Sequence, residues 1–441
     1  MWLDFIISCA CAAIASRPPA RTMTGRAPFG ASANMENGMH VLHIGIVGAG
    51  LGGLCLAQGL TKAGHRVDVF ERDATLDARG QGYRLRIDPD GQRALTACLS
   101  SGAYDLFRHS CAARNTTSRF VDPQLGLLAE RRPLHWKATS EAGDEGQVGD
   151  LSAHRQTLRD ILRHGLEERI HLGRPVLDVL PAENSVDAIL ADGGRRRFDL
   201  LVAADGVSSG LRDRLLAEAA PDDTGAITIY GKVPLAPSAG ALPDARWLEG
   251  VTVVFGDGVS LVVEPMRFRA PLPELAHAYL PGCKLGVVED YLYWAFVGRA
   301  ERLGGPLARG IAATDLMERA LEAARGWHPA VRRMVALSDT ASLSARPVRM
   351  ARDVPVWPTG RVTLLGDAIH AMSPAGGLGA NTALSDAASL ASLLVRVDGP
   401  GTLIDAVRHY EEAMRERARR ALHATREAAE RLLSGTAASD A

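Results

Sequence analysis

The sequence predicts an α/β fold: a parallel sheet, discontinuous in sequence, with an antiparallel sheet inserted into it and a helix at its C-terminal end. Three observations carry this reading. An apolar run, His43 to Val47, passes through a Gly-rich turn into a helix-like segment ended by Gly64, and then into a second apolar run, Arg66 to Phe70. Two later apolar runs, Leu200 to Ala204 and Arg361 to Leu365, each stop at an Asp/Gly turn that opens another helix-like segment. Between those two, from about Asp222 to Ser344, the texture changes to short β-like runs separated by Pro and Gly. Strands alternating with helices predict a parallel sheet, and a block of strands predicts an antiparallel one.

At 441 residues the chain exceeds what one hydrophobic core usually serves, so two domains are expected. Apolar residues make up 46% and charged residues 23%, as in a soluble globular protein. A net charge of -1 gives no footprint for nucleic acid or for an acidic membrane. Lysine occurs only at Lys62, Lys137, Lys232 and Lys284, so nearly all positive charge is arginine, a pattern read as coding bias. The six cysteines have no metal-ligand spacing, and in so large a chain they form no disulfide framework. A reducing, cytoplasmic setting is therefore expected. Met1 to Ser16 is apolar apart from Asp4, but too short to span a bilayer and without a basic n-region. Residues 1–39 are expected to form a disordered N-terminal extension, with a signal or anchor as the minor alternative.

The elements follow in order. His43 to Phe70 reads as strand, turn, helix and strand, the length of a Rossmann half. Gly80-Gln81-Gly82 precedes an alternating run, Tyr83 to Ile87, with one apolar and one charged face. Ser152 to Leu166 reads as a helix with Leu158, Ile161, Leu162 and Leu166 on one face. Strand signals recur around Val176, Val186 and Phe198 before Leu200 to Ala204. In the inserted region the β-like runs are Ile227–Val233, Val251–Phe255, Val259–Val263, Lys284–Val288 and Tyr291–Val297. An Arg/Glu/Ala helix from about Leu403 to Leu433 ends the chain. The cofactor domain is thus assigned to 40–110, 145–218 and 350–400, and the substrate domain to 111–144 and 219–349. Residues 401–441 are the C-terminal helix and tail.

Three motifs carry chemistry. Gly48-Ala49-Gly50-Leu51-Gly52-Gly53 satisfies G-x-G-x-x-G in the right context, with a strand before it and a helix after. Its first Gly allows a tight turn, its second lets a pyrophosphate reach the backbone, and its third lets helix and strand pack closely. Glu71, ending the next strand, suits adenosine ribose hydroxyls and disfavours a 2′-phosphate, so the site fits FAD or NAD rather than NADP. Ala204-Asp205-Gly206-Val207-Ser208-Ser209-Gly210-Leu211-Arg212 again ends a buried strand, although Asp205 or Ser208 could serve only as a helix cap. Gly366 to Asn381, GDAIHAMSPAGGLGAN, places an acid past a strand end and a Pro/Gly loop at a helix start. The acid can accept bonds from a polyol chain, and the loop's N–H groups can face an electron-rich ring edge, as a flavin presents.

These motifs, in this order, make the chain resemble the single-component, para-hydroxybenzoate hydroxylase-like FAD-dependent monooxygenases from about Val41 to Leu394. The resemblance implies a discontinuous Rossmann-like FAD-binding domain with an inserted antiparallel-sheet substrate domain. It places Gly48, Gly50 and Gly53 at the FAD pyrophosphate and Glu71 at the adenosine ribose. Either Arg84 or Arg86 is implied to reach FAD, with Arg86 preferred, and Arg155, in HRQTLRDIL, to reach the ribityl-pyrophosphate region. Asp205-Gly206 matches a motif serving both FAD and nicotinamide, and Asp367 would hold the ribityl hydroxyls. Gly379, Ala380 and Asn381 would set backbone N–H groups against the isoalloxazine. Leu378 departs from a common Gln, with little effect expected because the backbone makes the contacts there.

The implied activity is NAD(P)H- and O2-dependent oxygenation of a small aromatic or polyketide-like secondary metabolite through a flavin C4a-hydroperoxide. Such chemistry belongs to the cofactor and needs no triad or metal. His370 is read as structural for want of an identifiable partner, and Met372 as loop packing. Tyr230, Tyr291, Tyr293, Trp294 and Phe296 are either substrate-pocket or sheet-core residues, and Arg415, Arg417, Arg419 and Arg420 a solvated helix face. A flavin oxidase or desaturase on the same fold is the alternative, with a non-catalytic FAD-binding protein behind it. The W-x-W-x-I-P motif of flavin-dependent halogenases is absent.

Overall fold

The computed structural model describes residues 40–75, 83–115, 117–128, 149–235, 242 and 244–434, so the N-terminal extension and Gly80-Gln81-Gly82 lie outside the described residues. The chain opens with β1 (His43–Val47), α1 (Leu51–Lys62), β2 (Arg66–Phe70), β3 (Arg84–Ile87), α2 (Pro89–Cys98), α3 (Ser101–Ser110) and β4 (Thr117–Val121). It continues with β5 (Leu151–His154), α4 (Arg155–Arg163), β6 (Ile170–His171), β7 (Val176–Pro181), β8 (Val186–Leu190), β9 (Arg195–Phe198), β10 (Leu200–Ala203) and α5 (Gly210–Leu215). Next come β11 (Asp222–Pro234), β12 (Gly250–Gly256), β13 (Val259–Met266), α6 (Leu272–Tyr279), β14 (Tyr291–Arg299), α7 (Ala313–Ala323), α8 (Pro329–Ala336) and β15 (Ser344–Met350). The last elements are β16 (Val362–Leu364), α9 (Asp367–His370), α10 (Gly379–Leu394) and α11 (Pro400–Leu433).

The first sheet is parallel throughout, in the order β16-β10-β1-β2-β6. Alternation along β1 explains its two coverings. Ile44 and Ile46 are buried on the side of α1, where Gly53 approaches Ile46. His43 and Gly45 face the other way, onto Phe198 of the β7-β8-β9 meander. The chain leaves β1 for β2 on one side and later returns to β10 on the other, so β1 and β10 flank a topological switch point. Ligands of such sheets bind beyond the carboxyl ends of the strands at that point. Across the sheet, that edge carries Asp367, Asp205, Gly48 and Glu71.

The second sheet runs β15-β11-β14-β13-β12-β4. It is antiparallel except at its edge, where β4 pairs parallel with β12, so the expected purely antiparallel sheet is in fact mixed. One face, with Ile227, Ile229, Val263, Leu292, Trp294 and Phe296, forms a second core with α7 and α8. Trp294 and Phe296 are therefore core residues. The opposite face carries Tyr230, Lys232, Glu264, Tyr291 and Tyr293 and meets β3 and β5.

Other expectations need correction. The helix predicted from Ser152 starts at Arg155, because Leu151–His154 is claimed by pairing with β3. Lys284–Val288 is not a strand, and α6 packs against α3 in the first core rather than the second. The C-terminal helix is not simply solvated: Arg415 is buried with its guanidinium 5.6 Å from the Trp357 ring centroid, and Arg417 pairs with Asp386, while Arg419 and Arg420 are exposed. Among the described residues the four cysteines are free and buried, and no helix is long and apolar enough to cross a membrane.

α11 is fastened to the parallel sheet by polar contacts. Tyr410 donates to the Leu364 carbonyl at 2.8 Å, and the fully buried Glu411 accepts from Trp357 Nε1 (2.9 Å), Thr359 (2.7 Å) and Thr363 (3.0 Å). Replacing Glu411 by Ala strands three donors without a partner, and we expect a loss of about 2–4 kcal/mol from such unsatisfied groups. Urea denaturation measures it, and an unchanged midpoint would contradict the role given to Glu411.

Candidate functional site

Four of the six residues in Gly48–Gly53 are glycines, and the structure gives them different reasons. Gly48 has φ +108°, and a Cβ there would run into the Ala204 carbonyl. A Cβ on Gly53 would strike the Gly48 carbonyl oxygen, and one on Gly52 would lie 2.6 Å from Leu365 Cδ2. These three are demanded by packing against the protein itself. Gly50 is different: a Cβ there would meet nothing within 4 Å, so its backbone faces open space beyond the sheet edge. The first bond within α1 is Leu54 N–H to the Gly50 carbonyl, which leaves the preceding N–H groups turned towards that space.

Glu71 is locked beneath this turn. Its carboxylate accepts from the Ala49 N–H at 2.9 Å and the Asp73 N–H at 3.1 Å. Arg159, on α4, donates to the Ala49 carbonyl at 2.9 Å and lies 3.7 Å from the same carboxylate. A cavity past the end of β2 is lined by Ala74, Thr75, Gln156, Asp160, Arg163, Leu172, Lys284 and Gly286.

At the second motif, the helix cap is Ser209, which accepts from the Arg212 N–H at 3.0 Å; neither Asp205 nor Ser208 has that role. Asp205 Oδ1 is buried with no hydrogen-bond partner among the described residues. Burial pushes the Asp205 carboxyl up from its ordinary value, against the pull of Ser209 and Arg212. Arg212 donates to the Val207 carbonyl (3.0 Å) and the Ala368 carbonyl (3.2 Å), joining the second motif to the third.

In the third motif Asp367 is exposed between buried neighbours, and Gly379 stands close to its carboxylate. Arg155 opens α4 nearby. Burial lowers its pKa, while the charge of Asp367 works in the other direction. The first bond within α10 is Thr382 N–H to the Leu378 carbonyl, so Gly379, Ala380 and Asn381 contribute first-turn N–H groups with no partner inside the helix. The Asn381 side chain is engaged separately. It donates to the carbonyls of Arg86 (2.9 Å) and Gly377 (3.0 Å) and accepts from the Asp88 N–H (3.1 Å). Arg86 pairs with Asp150 at 2.6 Å and reaches the Gly376 carbonyl, so it lies against this loop. Arg84 goes elsewhere, to the buried Glu264 at 2.6 Å.

His370 has the partner that sequence reasoning did not find. Its Nε2 lies 2.6 Å from Asp386, both fully buried, and Asp386 also receives Arg417 at 3.0 Å. Burial alone would lower the His370 pKa, but the charge and hydrogen bond of Asp386 outweigh it and raise the value. The pair ties α9 to α10 and, through Arg417, to α11. Asp386 was legible in principle as a lone acid in an Ala/Leu-rich helix. Arg159 was legible as the arginine one helical turn beyond Arg155. Met372 packs against the first core. Among the described residues no cluster of ligating side chains could hold a metal.

Comparison with known proteins agrees with this architecture. Residues 46–114 match the NAD(P)-binding Rossmann-like domain, and residues 317–425 match the FAD binding domain. The chain is 34% identical over 403 residues to a dual O-methyltransferase/FAD-dependent monooxygenase of Cercospora beticola, covering 85% of this chain and 44% of that protein. It thus spans less than half the length of that relative. It is 28% identical over 404 residues to salicylate hydroxylase of Pseudomonas putida, covering 87% and 84% of the two chains. The crystal structure of an FAD-containing monooxygenase from Photorhabdus luminescens superposes with a TM-score of 0.73 at 29% identity, covering 89% of this chain and 99% of that one.

The His370–Asp386 pair has a pH signature. A histidine whose pKa is raised on folding contributes stability that is complete below its unfolded value, about 6.5, and is lost as pH rises through the folded value. Urea midpoints should therefore decline above about pH 6.5 in the wild type and decline less in His370→Asn. Parallel curves for the two proteins would show that no buried imidazolium forms.

Proposed function

The chain belongs to the para-hydroxybenzoate hydroxylase-like FAD-dependent monooxygenases, and from that premise we propose that it uses NAD(P)H and O2 to oxygenate a small aromatic or polyketide-like molecule. FAD, when bound and reduced, supplies the activation of O2 and the transfer of one oxygen atom. The residues fit that cofactor. The observation that carries the reading is the open edge of the parallel sheet, where the uncovered backbone of Gly50, the unpartnered Asp205 Oδ1 and the exposed Asp367 carboxylate stand in one row.

Each residue would then have its own role. Gly48 and Gly53 shape the turn, and Gly50 with the start of α1 receives the pyrophosphate. Glu71, fixed by Ala49 and Asp73, takes the ribose hydroxyls, and the cavity past the end of β2 leaves room for the adenine. Asp367 accepts from the ribityl hydroxyls, with Arg155 beside it. Gly379, Ala380 and Asn381 offer N–H groups to the pyrimidine edge of the ring, and Arg86 holds that loop in place. Asp205 stands where a nicotinamide could approach. The tyrosine-bearing face of the second sheet closes the site, positions the substrate and excludes water.

The purified protein should be yellow, or take up FAD, and should oxidise NAD(P)H faster with an aromatic substrate whose product gains one oxygen. Protein that binds no FAD would overturn the reading, and a product that has lost hydrogen would indicate a desaturase. Asp367→Ala should weaken FAD retention on the order of tenfold or more, the worth of hydrogen bonds to a charged group. Gly50→Ala should weaken FAD while the unfolding free energy of the apoprotein, from urea denaturation, stays within about 0.5 kcal/mol of wild type. Equal FAD affinity in both variants would remove these positions from the site.

A further inference from the structure

The face of the second sheet that meets the cofactor edge carries a half-buried cation, Lys232, for which no counter-ion stands among the described residues. Lys232 lies on β11 in the same alternation as Tyr230, and its cross-strand neighbour is Tyr293, itself opposite Glu264. It is half-buried, and among the described residues it makes no ion pair and its ammonium no hydrogen bond. Neither acid near it forms an ion pair with it among the described residues. Glu264 takes Arg84, Asn115 Nδ2 (3.1 Å) and the Ser152 hydroxyl. Asp339, whose N–H donates to the Lys232 carbonyl, accepts from the Ala341 N–H at 3.1 Å.

The surroundings of the ammonium are aromatic. Lys232 Nζ lies 5.3 Å from the Tyr83 ring centroid and 5.8 Å from that of Tyr291. Both rings are fixed by their hydroxyls, Tyr83 donating to the Ser342 carbonyl (2.7 Å) and Tyr291 to the Tyr83 carbonyl (2.8 Å). Two tyrosine faces hold a cation but do not neutralise it. The neighbouring titratable groups do not neutralise it either. His154 precedes Arg155, and burial, with the charge of Lys232, pushes its pKa down to about 4, so it is neutral at pH 7. Arg155 lies within the electrostatic reach of Tyr230, Arg346 and Asp367, which links this face to the proposed ribityl site.

We propose that Lys232 is the specificity-determining residue for an acidic oxygen on a planar substrate, a phenolate or a carboxylate, with Tyr83, Tyr230 and Tyr291 as the walls that receive the ring. A half-desolvated ammonium without an anion is costly, and a ligand oxyanion removes that cost while a neutral ring does not. This rests on the monooxygenase reading and sharpens it, since the fold accommodates charged and neutral substrates alike.

The test uses the FAD-loaded protein and 2-naphthol, 2-naphthoate and 2-methoxynaphthalene as probes, followed by perturbation of the flavin spectrum and by stimulation of NAD(P)H oxidation. The wild type should bind at least one acidic probe about tenfold or more tightly than the neutral ether, the worth of one hydrogen-bonded charge. Preference for 2-naphthol assigns a phenolate, and preference for 2-naphthoate a carboxylate. Lys232→Met should lose that preference while retaining FAD, and Lys232→Arg should keep it. Equal or tighter binding of the ether, no response to either acidic probe, or an unchanged preference in Lys232→Met would overturn the proposal. Failure of the wild type to hold FAD would instead overturn the cofactor reading, and the two failures are distinguished by the flavin absorbance alone.

Discussion

The site depends on backbone segments that touch with no side chain between them. The turns after β1, β10 and β16 lie side by side at the carboxyl edge of one sheet, and Gly48 meets the Ala204 carbonyl while Gly53 meets the Gly48 carbonyl oxygen. A β-carbon on Gly48 would push the turns after β1 and β10 apart. Close contact of this kind is demanding because it removes backbone groups from water, and each must find a partner. The carbonyls of Val207 and Ala368 find theirs in one side chain, Arg212, and the Ala49 carbonyl finds Arg159. The glycines permit the approach, and the arginines satisfy what the approach buries.

Buried charge is handled in the same way. Glu71, Asp386, Glu411 and Glu264 are nearly or fully buried, and each collects donors from more than one element. Asp386 joins α9, α10 and α11 through His370 and Arg417, whereas Glu411 joins α11 to the residues flanking β16. A single missing donor would leave charge in a low-dielectric setting, so these groups fix one arrangement of the elements beneath the site. The exposed Asp367 is the contrast: it sits above this framework and has been left with room in front of it.

The parallel sheet was legible, apart from the two-residue edge strand β6, because β1, β10 and β16 each end at a motif whose residue types are forced by geometry. Gly48, Gly53, Asp205 and Asp367 stand where the pattern puts them, along one edge of the sheet. What sequence reasoning missed was set by contacts distant along the chain. Leu151–His154 is only four residues long and runs straight into the helical pattern of α4, so its short alternation reads as the first turn of that helix until β3 decides the matter by pairing with it. Trp294 and Tyr293 are adjacent and equally aromatic, yet one faces the core and the other the cofactor edge, a choice made by the pleat and the register with β11. Asp386 and Arg417 look like surface charge on two helices until those helices are packed together.

The charged face of β3 shows how such distant contacts define function. Arg84 and Arg86 are two residues apart and so project from the same side of a strand, the charged face that the resemblance turns towards FAD. That side is the seam between the two sheets. Arg84 reaches across to Glu264, deep in the second sheet, while Arg86 turns to Asp150 and the Gly376 carbonyl beside the third motif. The two arginines therefore register the tyrosine-bearing face against the cofactor edge, Arg84 by an ion pair and Arg86 by hydrogen bonds, where a purely apolar seam would let the sheets slide. Because Glu264 is consumed in that registration, it is not free to neutralise the lysine two strands away. The arrangement that aligns the two sheets thus also keeps Glu264 from Lys232, which has no ion pair among the described residues.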